Sequence, residues 1–251
     1  MKINKQHIQP MKLSTLLKYT KETGKGVFLL SVPGNILILV LSTAVLFAFF
    51  DYVDAVGMNE NGLHTLTIFN NVLLIGLTCV HIYYLLLGNH KLSFWNQVKQ
   101  SLIKTLKILP TLIVATFVYA LFVTIGLFLL IIPGLILYAY LGIYSQTIAF
   151  ENKGMLSSLL RSRDLVKGSF WKVFCILIIL LLSTNIVVSI MGIVSSVFLP
   201  NSSLVFEIGV YSVAYLPIMP FIGSMYAFLY FDLRSRQEAF DYQVFEQELE
   251  M

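Results

Sequence analysis

Charge is what this chain has least of. Charged residues make up 12% of the 251 positions and hydrophobic residues 57%, against about 25% and 45–50% in soluble domains. A soluble fold of this length has too little interior to hide that much apolar surface, so the composition indicates a polytopic, all-α membrane protein. Cysteine is nearly absent too. Cys79 and Cys175 are the only two, and both sit in apolar runs, which excludes a disulfide framework. The chain also lacks a Walker A loop, a dinucleotide fingerprint and a Gly-x-Ser-x-Gly elbow. Its apolar runs carry no Asp, Glu, Lys or Arg in their central parts, whereas ion-coupled transporters and membrane enzymes usually bury such groups.

What is present is a series of long apolar runs. Six spans are predicted, at about 27–50, 66–88, 108–132, 135–150, 173–198 and 204–231, arranged as three hairpins. The first run is too long for a signal-peptide core, so no cleavable leader is expected. Amphipathic segments precede spans 1, 3 and 5 and are expected to form interfacial helices. They are the basic segment 1–26, Lys91–Lys107 and Met155–Phe170. Lys12-Leu13-Ser14, Lys91-Leu92-Ser93 and Met155-Leu156-Ser157 each open one of these segments, a crude repeat of surface helix plus hairpin. Pro33-Gly34 is expected to kink the first span, Pro110 to open the third, Pro133-Gly134 to break the hairpin of spans 3 and 4, and Pro217 and Pro220 to bend the last helix. Residues 232–251 read as an acidic tail.

The distribution of charge sets the predicted orientation. All 17 lysines and arginines fall in residues 1–26, 88–107 and 151–172 or at the start of the tail. Six crossings put every one of them on the same side, which the positive-inside rule makes the cytoplasm, with both termini there. The opposite loops keep only Asp51, Asp54, Glu60 and Glu207 as ionised groups.

Chemistry is harder to locate. His81 is the one titratable ring well inside a span; without a second ligand at metal spacing it reads as a histidine bonded to a neighbouring helix. Asn35, Asn70, Asn71 and Asn185 read as amides that tie helices together. No catalytic residue, metal site or cofactor is expected. The basic clusters each abut a span, so anionic lipid headgroups, not nucleic acid, are the expected partners. Arg161, Arg163, Lys167, Lys172 and Arg234 are the candidate headgroup ligands, and Asp232 is expected to pair with an arginine such as Arg161. A membrane-protein partner or a second copy of the chain is a further candidate partner.

Two stretches carry a resemblance. The first comprises Ile132-Pro133-Gly134-Leu135, Glu151-Asn152-Lys153-Gly154, and Arg161-Ser162-Arg163-Asp164-Leu165-Val166-Lys167-Gly168-Ser169-Phe170-Trp171. The second is Tyr230-Phe231-Asp232-Leu233-Arg234-Ser235-Arg236-Gln237-Glu238. Together they resemble the membrane domain associated with glycerophosphoryl diester phosphodiesterases and related stand-alone bacterial inner-membrane proteins of unknown function. The resemblance marks Pro133, Gly134, Glu151, Gly154, Gly168, Trp171, Asp232 and Arg236 as motif residues. It implies an auxiliary membrane module and no catalysis, since nothing here is similar to the soluble barrel that carries the phosphodiesterase chemistry. The expected function is therefore a non-enzymatic, lipid-interacting scaffold of the cytoplasmic membrane, with a permease or exporter component for a lipid or small amphiphile as the alternative.

Overall fold

A computed structural model describes residues 8–55, 60–88, 92–198, 216–238 and 240–245. Every element in them is helical. The helices are α1 (Leu13–Ala55), α2 (Glu60–Leu87), α3 (Phe94–Leu129), α4 (Ile131–Leu141), α5 (Tyr144–Glu151), α6 (Met155–Val166), α7 (Phe170–Phe198) and α8 (Met219–Gln237). Four stretches are long and apolar enough to cross a membrane, namely Leu13–Leu41, Phe94–Leu129, Ile131–Glu151 and Phe170–Val187, and Val72–Leu87 is a shorter apolar helix. The first half of the expected sixth span lies outside the described residues.

Two of the three expected interfacial helices are not separate elements. The N-terminal amphipathic segment from Leu13 on and the 94–107 segment are the opening turns of α1 and α3, which continue unbroken. Neither Gly24 nor Gly26 ends α1, because an interior glycine costs only about 1 kcal/mol. Pro33 and Pro110 both lie inside helices; Pro110 therefore does not open a helix as its position suggests. A chain entering lipid has strong reason to keep its backbone bonds paired, so the helix outlasts the change of polarity along it. Only α6 stands alone. It is bounded by Asn152, left-handed at φ 48°, and by a turn in which Gly168 adopts φ 86°.

α3 reverses into α4 at Leu130, three residues before the expected break. Leu130 is extended (φ −160°, ψ 139°), its N–H bonds Gly126 O at 3.0 Å, and its carbonyl accepts from Gly134 N–H at 3.4 Å. Pro133 instead fills the first turn of α4, where a missing donor is harmless. Gly126 and Gly134 let the two helices touch. A Cβ on Gly134 would lie 2.5 Å from the backbone nitrogen of Leu127, and one on Gly126 would lie 2.9 Å from the Gly134 Cα. Further down, Tyr119 stacks on Tyr144 with ring centroids 5.0 Å apart, and Thr116 and Tyr144 hydroxyls are 2.8 Å apart. These pairings run in opposite directions along the two arms, so they lie antiparallel.

α8 starts at Met219 with Pro220 in its first turn, so that proline opens the helix and does not bend it. It runs six residues past the expected end of the span, and the tail turns back: Phe240 and Phe245 are buried. α8 packs antiparallel to α1, through Gly24 against Phe221 and Thr20 against Met225, and parallel to α2, through Thr78 against Met219 and Gly223 against Ile82.

Candidate functional site

The two motif stretches meet at one end of the bundle. There the chain brings together the start of α1, the ends of α2, α5 and α8, and the start of α7. α6 lies across them. The starts of α1 and α3 carry lysines, and so does this end: Lys104 lies 5.6 Å from the ring centroid of Tyr84, whose hydroxyl donates to Ala149 O at 3.0 Å.

Asp232 is the centre of one half. Its carboxylate is fully buried and accepts from Met11 N–H at 2.6 Å, from Lys172 Nζ at 2.6 Å and from Arg236 Nε at 3.1 Å. Lys172 Nζ and Arg236 Nη2 also donate to Met11 O, at 2.7 and 2.8 Å. A buried carboxylate is tolerable only when its lone pairs are filled this way. One group thus joins the N-terminal segment, α7 and α8. The expected pairing of Asp232 with Arg161 is replaced by Lys172 and Arg236, because the α6–α7 turn at Gly168 carries Lys172 to Asp232, while Arg161 is taken up by Glu151 and Glu238.

Arg161 belongs to the second half. Its Nε meets both oxygens of Glu151 at 2.9 Å, and its terminal nitrogen pairs with Glu238. Tyr230 hydroxyl donates to Glu151 at 2.9 Å, and Lys153 lies 3.4 Å from the same carboxylate. Arg234 pairs with Glu238 at 3.1 Å and lies 3.9 Å from the centre of the Phe240 ring, with Phe150 and Tyr230 nearby. Burial acts to raise the Glu238 carboxyl, yet hydrogen bonds and charge from Arg161 and Arg234 outweigh it and hold the group below its ordinary value. The same carboxylates hold the Arg161 guanidinium above its ordinary value against the effect of burial.

The five candidate headgroup ligands therefore divide. Arg161, Lys172 and Arg234 are engaged within the protein, and Arg234 is only 7% exposed. Arg163 and Lys167 are exposed, on the same side of α6 as the exposed Leu156 and Leu160. Their spacing of four, three and four residues forms one stripe. Trp171, 74% exposed, lies just beyond it. The opposite side, with Ser158, Leu159, Ser162, Leu165 and Val166, is buried. Ser162 holds α6 down, accepting from Ile143 N–H and donating to Tyr140 O. Sequence reasoning missed Glu238 and Tyr230 as partners. The Asp232–Arg236 and Arg234–Glu238 spacings of four residues were the available signal.

Of the polar groups further inside, the histidine meets a neighbouring helix as expected and the amides do less than expected. His81 Nδ1 lies 2.9 Å from Ser101 Oγ on the neighbouring α3, and its ring abuts Gly34. Asn185 bonds Leu181 O in its own helix, and the buried Asn35 amide has no partner among the described residues, so neither ties two helices together. The side chains of Asn70 and Asn71 lie outside the described residues. Between α1, α2 and α3 is an apolar cavity of about 120 Å³, lined by Leu37, Ile38, Leu77, Leu102, Thr105 and Ile113 among others. Among the described residues no group of three His, Cys, Asp or Glu is placed to hold a metal. Compared with models of protein families, with characterised proteins and with solved structures, the chain matches none.

Proposed function

We propose that the chain is a non-enzymatic integral protein of a bacterial cytoplasmic membrane. In this reading it crosses six times with both termini in the cytoplasm and serves as a lipid-interacting scaffold or auxiliary module. One observation carries it: where the two motif stretches meet, Arg161, Lys172, Arg234 and Arg236 are satisfied internally, while Arg163 and Lys167 remain exposed beside Leu156, Leu160 and Trp171. Leucines and an indole beside cations are the composition of a helix at a headgroup boundary. The resemblance to the phosphodiesterase-associated membrane domain supports the same role and adds no activity.

The test is native mass spectrometry of the purified chain with retained lipids. Arg163→Gln with Lys167→Gln should remove bound anionic lipid, whereas Lys153→Gln should not. Undiminished anionic lipid on the double variant would contradict the assignment. The second reading, passage of a lipid or small amphiphile, is favoured by the apolar cavity between α1, α2 and α3. Flux of a labelled amphiphile in reconstituted vesicles, abolished by Ile113→Trp, would select it.

A further inference from the structure

At the end opposite the ion pairs, the α3–α4 reversal is apolar without interruption. From Gly126 to Leu137 the chain reads GLFLLIIPGLIL, with no side chain able to hydrogen-bond. At the reversal itself Phe128 is 89% exposed, and Leu129, Leu130, Ile131 and Ile132 are 68–71% exposed. A turn that surfaces into water is normally built from Gly, Asn, Asp, Ser and Pro, since its backbone and side chains both need polar surroundings. This one keeps only the proline and a glycine.

The length is informative. Ile131–Glu151 holds 21 residues, α4 and α5 joined at Gly142-Ile143, which reach at most about 32 Å end to end against a hydrocarbon core of about 30 Å. With Glu151 in the ion-paired end, the reversal falls at the far hydrocarbon boundary. The backbone limits how deep it can sit. Pro133 has no donor and Gly134 N–H bonds Leu130 O, so part of the usual deficit at a helix start is removed. The carbonyls that end α3, those of Leu127, Phe128 and Leu129, still need the ester or glycerol layer.

We infer that the α3–α4 reversal is a lipid-facing wedge whose five large apolar side chains lie in the outermost acyl region of the far leaflet, without surfacing into water. Its partner is the ester end of far-leaflet acyl chains. The inference rests on the membrane reading above but not on headgroup binding by α6.

The experiment uses the full chain with Cys79→Ala and Cys175→Ser, reconstituted in vesicles, with single cysteines at Leu130→Cys, Phe128→Cys and Lys153→Cys. Labelling of Leu130→Cys and Phe128→Cys by a membrane-impermeant maleimide, given to either side, should be at least about tenfold slower than labelling of Lys153→Cys from the side on which Lys153 lies. A bimane coupled at Leu130→Cys in detergent should, after reconstitution, be quenched more by lipids brominated near the ester end than near the methyl end. Rapid labelling at Leu130→Cys from either side would overturn the inference. So would shielding from both maleimide and bromolipid, which would mean that protein covers the reversal. Release of the whole chain by alkaline carbonate would defeat the membrane reading itself, and with it the wedge.

Discussion

The two ends of α4–α5 are built on opposite principles. At Glu151 the chain is held by direction-dependent bonds: two carboxylates, Glu151 and Asp232, collect Arg161, Lys172, Arg236, Tyr230 and the Met11 backbone. At Leu130 no side chain makes a polar contact: beyond the local backbone bonds the chain is held by shape, with Gly126 and Gly134 letting two helices touch. The difference shows where each kind of contact is economical. Ion pairs can gather where water reaches their edges, whereas at the lipid-facing reversal close packing of small residues does the work at no cost in buried charge.

The largest break in that comparison should come from Asp232→Ala. It leaves Lys172, Arg236 and the Met11 N–H without their shared acceptor, and loss of one member of a buried ionic group costs about 3–5 kcal/mol. Thermal unfolding in detergent should show it, with Lys172→Met milder because Asp232 keeps Arg236 and Met11. Next comes the shape-held end. Gly134→Val drives a side chain into the Leu127 backbone and should cost about 1–3 kcal/mol by overpacking, measured the same way. A smaller effect is expected from pH. The folded Glu238 carboxyl lies below its ordinary value, so its contribution is complete above that value and lost as pH falls through the folded one. Unfolding temperature should therefore fall more steeply with acidification in the wild type than in Glu238→Gln, the difference opening below about pH 4.5. The smallest change is Lys153→Ala, whose half-exposed contact with Glu151 is worth about 0–1 kcal/mol.

The charge distribution alone located the polar end: the described lysines and arginines lie on α1, α3, α6, α7 and α8 or in the turns beside them. Element boundaries were less legible. Amphipathic periodicity in 13–26 and 94–107 marks which side faces lipid, but nothing in it encodes whether the helix stops before the span. Pro133-Gly134 located the third reversal to within three residues and misplaced it because proline is equally at home in a first helical turn. The partners of Arg161 were illegible, since Glu151 and Glu238 come from elements 10 and 77 residues away in sequence. Those of Arg234 and Arg236 were within reach, four residues along α8 in either direction.

One measurement bears most directly on the whole account, namely that the basic stretches share one side of the bilayer. Lys99→Cys and Lys153→Cys, each in the cysteine-free background, are exposed to an impermeant maleimide in intact cells and then in inverted vesicles. The account predicts no labelling of either in cells and full labelling of both in inverted vesicles. Labelling of one in intact cells would put α3 and α6 on opposite sides and contradict it.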